Sequence, residues 1–266
     1  QSAVSYRWIS TVFHSEIWPI AAVLVGVLAG GATVQAEEEF ETARHRFRAE
    51  VFAEGLEIPW GMVFLPDGRL LVSERQGDLR LIDAQGQVSA PLLGVPAVRA
   101  RGQGGLMDVA LHPDFAANSW VYFSYSDAAE DAAGEEVGFT VVARGKLKAA
   151  GLESVEVIYQ APAAEYAARS HHYGSRLVFD TEGYLYFSVG DRGERHEAQD
   201  VGVPNGKIHR LHDDGRVPAD NPFVNSPGAV ASIWSYGHRN PQGLALNPAD
   251  GGLWDAEHGP RGGDEL

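Results

Sequence analysis

The 266-residue chain contains no cysteine. Disulfide bonds, cysteine-ligated zinc and thiol catalysis are therefore excluded. Basic residues are also scarce, because 21 Lys and Arg stand against 36 Asp and Glu and give a formal net charge of −15. A surface this negative repels phosphate backbones, so the sequence predicts that nucleic acid is not a partner.

Long apolar runs are rare, and the clearest one, rich in Ala, Val, Leu and Gly, occupies residues 18–32 near the N-terminus. Small residues follow at Val34 and Ala36, and then come three glutamates at residues 37–39. This order predicts a signal peptide at residues 1–36 and a periplasmic or secreted protein with no membrane span after cleavage. An uncleaved anchor is the alternative, but the run is shorter than the roughly 20 residues that span a bilayer.

The rest of the chain repeats one pattern, in which an apolar strand, a turn and a second apolar strand follow one another. Equivalent apolar positions lie 47, 68 and 67 residues apart, at Phe64, Leu111, Phe179 and Leu246. A period of about 45 residues built from short strands is typical of a β-propeller blade, and longer spacings leave room for insertions. A β-sandwich, which also has many short strands, is the alternative.

The sequence thus predicts an all-β chain with a polar linker at residues 37–49 and part of a β-propeller at residues 50–266. About four blades fit into this length. A propeller protects its strand edges by closing the ring. Because no closing strand precedes Leu266, we expect a propeller that is truncated at its C-terminus.

Polar residues beside the predicted strands are candidates for a site, because propeller loops at one end converge on the axis. Gln103 lies in a glycine-rich segment and offers an amide. His172 belongs to a histidine pair that we expect to be extended, so that only one ring faces the axis. Asp191 follows the next strand and could orient that ring. A plain glycine-rich connection, a surface histidine pair and a turn aspartate are the alternatives.

A second group of candidates lies near the end of the chain. Arg239 could bind carboxylates or an oxyanion through its planar guanidinium. The backbone carbonyls of Gly259 and Pro260, with acidic residues nearby, suit an oxygen-seeking ion such as calcium. A loop that contains Gly and Pro but binds no ligand is the alternative.

Taken together, these segments resemble the soluble PQQ-dependent glucose/sorbosone dehydrogenase family (PQQ, pyrroloquinoline quinone), and most closely its aldose sugar dehydrogenase branch. The resemblance covers residues 56–266. Its most specific string is Tyr-Gly-His-Arg-Asn-Pro-Gln-Gly at residues 236–243. The remaining segments are residues 103–106, 172–176, 190–193 and 257–265.

The resemblance implies a six-bladed propeller with PQQ lying flat over one end of the axis. It implies that His172 is the catalytic base and that Asp191 supports it. Gln103, Arg239 and Asn240 match residues around the quinone and the substrate, and Arg239 would also stabilise negative charge on the quinone oxygen.

The resemblance also implies bound calcium. Gly259 and Pro260 match the carbonyl ligands of a catalytic Ca²⁺, and Glu265 matches a ligand of a second, structural Ca²⁺ in some members. Some glucose-specific members carry an acid where this chain has His171, which favours broad aldose oxidation over glucose specificity.

The predicted function is oxidation of an aldose at its anomeric carbon to a lactone, with an electron acceptor that the sequence does not identify. A calcium-dependent, lactonase-like hydrolase on a similar propeller is one alternative. A non-catalytic propeller that binds a protein or a glycan is another, because a fold does not determine an activity. A histidine zinc enzyme is disfavoured, because no H-E-x-x-H spacing occurs.

Overall fold

The structure, a computed structural model, describes residues 38–266. The predicted signal peptide at residues 1–36 lies outside the described residues. The chain divides into two compact units, one ending at Gly55 and one spanning Leu56–Leu266. Between residues 38 and 266, the structure contains no helix with the length and apolar character needed to cross a membrane.

The first unit contains a β-hairpin within the segment that was predicted as a polar linker. Strand β1 (Glu38–Glu41) pairs antiparallel with β2 (Arg46–Ala49). The rings of Phe40 and Phe47 lie directly opposite each other and stack with their centroids 5.2 Å apart. This aromatic cross-strand pair is the kind of contact that stabilises two short strands.

The second unit contains four antiparallel sheets that follow one another along the chain, and each strand pairs with the next within its sheet. The strands of the first sheet are β3 (Pro59–Phe64), β4 (Leu70–Glu74) and β5 (Leu79–Ile82). Those of the second are β6 (Leu106–Leu111), β7 (Trp120–Glu130), β8 (Glu136–Lys148) and β9 (Gly151–Tyr159). Those of the third are β10 (Leu177–Phe179), β11 (Leu185–Val189), β12 (Lys207–Leu211) and β13 (Ile233–Tyr236). Those of the fourth are β14 (Pro241–Leu246) and β15 (Leu253–Glu257).

Helical structure within the described residues is limited to short segments between strands. The α-helix α1 (Phe115–Asn118) connects β6 to β7. Single 3-10 turns lie at Ala163–Glu165, Glu197–Gln199 and Pro260–Gly262. The predicted all-β class is therefore confirmed.

Each predicted repeat forms the first two strands of one sheet. The four repeat positions pair across these hairpins as Phe64 with Leu70, Leu111 with Val121, Phe179 with Leu185, and Leu246 with Leu253. Gly68 and Gly183 adopt φ of 88° and 86° in the first and third turns, which glycine does without steric cost. The periodic pattern therefore located the sheets correctly.

The first strands of the four sheets lie side by side. Strand β3 contacts β6, β6 contacts β10, and β10 contacts β14. All four contribute to the lining of one cavity of about 530 Å³, through residues that include Val63, Val109, Val178 and Leu246. Successive sheets arranged around a shared space are consistent with propeller blades rather than with two facing sheets.

Apolar cores fill the spaces between the first and second sheets and between the second and third. Leu71, Leu106 and Phe123 are buried between the first and second sheets, and Tyr122 and Phe187 between the second and third. Because side chains alternate along a strand, the neighbours Tyr122 and Phe123 on β7 point to opposite faces of the sheet, and each packs into a different core. Each fully buried large apolar side chain contributes roughly 1.5–3 kcal/mol. The cores thereby hold the sheets, and the loops between them, in fixed relative positions.

Candidate active site

A histidine and an aspartate form the centre of the candidate site. Nδ1 of His172 lies 2.7 Å from Oδ1 of Asp191, and the two side chains are 14% and 3% exposed. The same Oδ1 accepts the Gly193 N–H at 2.8 Å, so Asp191 is both a turn residue and a partner of the imidazole. Burial raises the pKa of the Asp191 carboxyl, but the hydrogen bonds from His172 and Gly193 outweigh it and lower the pKa below its usual value. An ionised carboxylate only accepts hydrogen bonds, so Nδ1 carries the hydrogen and Nε2 is left to accept a proton.

The backbone at His172 differs from the extended segment expected from the sequence. Its φ is 56°, in the left-handed region that only a few per cent of non-glycine residues adopt, histidine more often than most. The N–H of His172 donates to Oε1 of Gln103 at 2.7 Å. A side chain at Gly190 would place Cβ 2.1 Å from the His172 carbonyl oxygen, so only glycine leaves room for this turn. The ring of His171 lies edge-on to that of His172, with centroids 4.6 Å apart.

Buried hydroxyl groups of the second sheet hold the segment that follows His172. Thr140 on β8 donates to the Tyr173 carbonyl at 2.8 Å, and Ser124 on β7 donates to the Ser175 carbonyl at 2.6 Å. These hydroxyls satisfy carbonyls that water cannot reach. The segment is thus fixed by side chains of a neighbouring sheet rather than by its own secondary structure.

Arg239 and Asn240 approach the same centre from the loop before β14. The carbonyl of Arg239 accepts the Asp191 N–H at 2.8 Å. The positive charge of Arg239 also contributes to the low pKa of Asp191. Oδ1 of the buried Asn240 accepts the Gly174 N–H at 3.1 Å. The dipeptide therefore binds both segments that carry His172 and Asp191.

The loop that contains Gly259 and Pro260 begins beside Arg239. A guanidinium nitrogen of Arg239, Nη1, donates to the His258 carbonyl at 2.8 Å. The Gly259 N–H donates to Oδ1 of Asp264 at 2.9 Å, which closes the loop on itself. Pro260 begins the 3-10 turn that ends at Gly262.

Glu265 lies farther along this loop. Its backbone N–H and carbonyl each pair with Glu257 at 3.1 Å, and the residue is exposed. The structure therefore connects the predicted site residues in two groups. Direct hydrogen bonds link Gln103, His172, Asp191 and Arg239, and Asn240, the residue after Arg239, joins them through its bond to Gly174. Gly259 and Pro260 join them through the neighbouring His258, and Glu265 does so through Glu257.

A buried arginine that the sequence analysis passed over supports the histidine segment. The guanidinium carbon of Arg192 lies 3.5 Å from the centre of the Tyr173 ring, and its nitrogens donate to the carbonyls of His171 and Arg169. Burial lowers the pKa of Arg192. Arg99 also donates to the hydroxyl of Tyr173, at 3.0 Å. An arginine inside a Gly-Asp-Arg-Gly turn is ordinarily a surface residue, so no local signal indicated this role.

A second overlooked cluster surrounds His238. Its Nδ1 lies 3.2 Å from Oδ2 of Asp255 and 3.6 Å from Oε1 of Glu257, and its Nε2 lies 2.9 Å from Oγ of Ser235. Burial lowers the pKa of His238, but hydrogen bonds to the two acids outweigh it and raise the pKa to about 9. The sequence does contain His238 within its most specific string, but not the pairing with strand β15.

Comparison with known proteins gives consistent matches. Residues 56–266 match the family model described as glucose/sorbosone dehydrogenase. The aldose sugar dehydrogenase YliI of Escherichia coli K12 is 46% identical over 219 residues, which cover 82% of this chain and 58% of the relative.

Two solved structures are similar over most of the second unit. The soluble aldose sugar dehydrogenase of Escherichia coli in its apo form matches with a TM-score of 0.76 and 44% identity, covering 81% of this chain and 61% of that one. The PQQ-bound aldose sugar dehydrogenase of Streptomyces coelicolor matches with a TM-score of 0.68 and 32% identity, covering 80% and 60%. The chain thus spans less than two thirds of the length of these relatives.

Proposed function

Because the chain belongs to the glucose/sorbosone dehydrogenase family, we propose that the complete protein is a PQQ- and calcium-dependent dehydrogenase that oxidises aldoses at the anomeric carbon to lactones. The observation that carries this proposal is the hydrogen-bonded series from Gln103 through His172 and Asp191 to Arg239. It joins an imidazole and a carboxylate to the backbone of an arginine whose charge also lowers the pKa of that carboxylate, which supports a site with a base, an anion and a cation.

The side chains at this site fit PQQ, whose quinone and carboxylate oxygens accept hydrogen bonds. Gln103 and Asn240 each use the amide oxygen to accept a backbone N–H. Their NH₂ groups are left as donors. Arg239 adds a half-buried guanidinium that matches carboxylates. We propose that these three residues hold the cofactor.

The loop after β15 fits calcium, which prefers oxygen ligands. The carbonyls of Gly259 and Pro260 are neighbours, and a carbonyl that accepts one hydrogen bond still has a second lone pair. We propose these two as ligands of a Ca²⁺ beside the cofactor. The exposed carboxylate of Glu265 is proposed as a ligand of a second, structural Ca²⁺.

The chemistry of this chain then centres on proton transfer. Nε2 of His172 would take the proton of the anomeric hydroxyl, while Asp191 holds Nδ1 and stabilises the imidazolium that forms. PQQ, when bound, would supply the two-electron oxidant that accepts the anomeric hydrogen as a hydride. The guanidinium of Arg239 would stabilise the negative charge that the cofactor gains on reduction. The sugar loses one proton and one hydride and becomes a lactone.

We propose further that the complete protein forms a six-bladed propeller and acts in the periplasm or outside the cell. Four consecutive antiparallel sheets around a shared cavity support the propeller. The apolar run and the small residues before Glu37 support export.

The test uses the complete protein reconstituted with PQQ and Ca²⁺, and measures aldose-dependent reduction of a dye. The His172→Ala variant should lose about 10²- to 10⁴-fold in kcat while still binding PQQ, because a general base contributes about that much. The exposed His45 provides a matched control, and His45→Ala should leave turnover unchanged. Full turnover in His172→Ala would exclude His172 as the base. Calcium-dependent lactone hydrolysis without any sugar oxidation would instead identify a hydrolase.

A further inference from the structure

The carboxylate of Glu257 connects two segments of the candidate active site. Its Oε2 accepts the Arg239 N–H at 2.6 Å and the Asn240 N–H at 3.3 Å. Glu257 is the last residue of β15 and pairs with Pro241, the first residue of β14. The side chain of Glu257 therefore extends beyond the last residue pair of strands β14 and β15 and contacts the dipeptide Arg239–Asn240, which precedes β14.

The ladder itself cannot hold this dipeptide. Pro241 has no N–H to donate, and the register between β14 and β15 shifts between Pro241 and Gly243. The N–H groups of Arg239 and Asn240 thus need an acceptor beyond the strand pairing, and a single carboxylate oxygen, Oε2 of Glu257, accepts both. The side chain of Glu257 is 11% exposed, so little water is present to replace it.

The other oxygen of Glu257 lies within ion-pair distance of His238. Nδ1 of His238 lies 3.6 Å from Oε1 of Glu257 and 3.2 Å from Oδ2 of Asp255. The opposite ring nitrogen lies 2.9 Å from Oγ of Ser235. The imidazole is therefore fixed at both ends and keeps the Glu257 carboxylate turned toward the dipeptide.

Both residues of the dipeptide also contact the segment that follows Glu257. Nη1 of Arg239 donates to the His258 carbonyl at 2.8 Å, and the carbonyl of Asn240 accepts the His258 N–H at 3.3 Å. A displaced Glu257 would release the guanidinium, the amide and the start of the Gly259 loop together.

From these contacts we propose that Glu257, braced by His238 and Asp255, is a positioning residue that fixes the Arg239–Asn240 dipeptide. The consequence for PQQ affinity rests on the proposed function, whereas the position of the dipeptide does not. Glu257 acts through these neighbours and makes no contact with His172, so its removal should weaken cofactor binding more than it slows proton transfer to His172.

The first test measures the dipeptide directly, in the complete protein without cofactor. Hydrogen–deuterium exchange of the Arg239 and Asn240 amides should be about tenfold faster in Glu257→Gln, because both N–H groups then donate to a neutral amide oxygen instead of a carboxylate oxygen. The control Glu156→Gln removes a strand glutamate that pairs with Arg144 at 2.6 Å and should leave this exchange unchanged. Unchanged exchange in a folded Glu257→Gln protein would overturn the proposal.

The second test titrates PQQ into the apoprotein and follows protein fluorescence. Glu257→Gln should raise the dissociation constant at least tenfold, while the KM for the aldose at saturating PQQ stays within twofold. Glu156→Gln should match the unaltered protein in both. An equal loss of affinity in the control, or none in Glu257→Gln, would count against the inference.

A second variant tests the same contact with a smaller risk of misfolding. His238→Gln leaves Glu257 in place and removes only its brace, so we expect a three- to tenfold faster exchange and a similar loss of PQQ affinity. Circular dichroism and thermal melting establish that each variant is folded. If the unaltered protein binds no PQQ while the exchange results hold, the proposed function fails and the role of Glu257 in positioning the dipeptide stands.

Discussion

Replacing Asp191 by Asn tests the central contact of the site with the smallest change of shape. The substitution removes the charge of the carboxylate but keeps an oxygen where Oδ1 lies, 2.7 Å from Nδ1 of His172. That oxygen is also anchored by the Gly193 N–H at 2.8 Å. The amide should therefore keep its oxygen, rather than its nitrogen, toward the imidazole, and the tautomer of His172 should be preserved.

The expected loss follows from the kind of hydrogen bond that remains. A bond to a charged acceptor contributes about 1.5–3 kcal/mol and a neutral one about 0.5–1.5 kcal/mol. Asp191 is 3% exposed, so solvent screens this difference little. A difference of about 1.4 kcal/mol in the transition state corresponds to about tenfold in rate. We therefore expect Asp191→Asn to lower kcat about tenfold.

Single-turnover dye reduction in the PQQ-reconstituted, complete protein measures this change. Asp191→Ala removes the acceptor altogether and should cost about 100-fold or more, because the imidazolium then has no partner. Equal losses in the Asn and Ala variants would show that the amide has flipped and that the tautomer argument is wrong. Full activity in Asp191→Asn would refute the role of the charge.

Two further predictions concern stability and are checked by urea unfolding of the complete protein. Burial lowers the pKa of His209 to about 3 in the folded protein, whereas the pKa of an unfolded histidine is about 6.5. The unfolded chain therefore binds the proton first as the pH falls. The free energy of unfolding should be highest above pH 6.5 and should be about 2 kcal/mol lower at pH 5. His209→Gln should remove this part of the pH dependence. If the free energy of unfolding falls as steeply between pH 6.5 and pH 5 in the variant, His209 is not the group responsible. Arg192→Lys should cost about 1–3 kcal/mol at pH 7, because lysine cannot both stack on Tyr173 and donate to two carbonyls. If Arg192→Lys is as stable as the unaltered protein, the stacking and the two hydrogen bonds of the Arg192 guanidinium do not contribute to the free energy of unfolding.

Much of the fold could be predicted because its signals are local. The turn at Gly68 and the strands on either side of it depend on residues a few positions apart, and the same holds for the turn at Gly183. Repetition of this unit placed the first hairpin of every sheet. The hairpin of β1 and β2 was not predicted, because its residues alternate in charge and its aromatic pair is short.

The candidate site could be predicted only in part. Motif strings identified His172, Asp191 and Arg239, and the structure joins them by hydrogen bonds. The strings did not indicate the left-handed backbone of His172, which depends on the space beside Gly190.

By itself the sequence determined the strand units, their order and the residue types available for chemistry, because period-two alternation and turn residues act over short distances. Tertiary structure alone decided which of these residues meet. Arg192 is buried because Tyr173 and two distant carbonyls surround it, and Glu257 faces Arg239 because β15 ends opposite Pro241. Such contacts join segments up to tens of residues apart, and their geometry is set by the packing of whole sheets rather than by any local pattern.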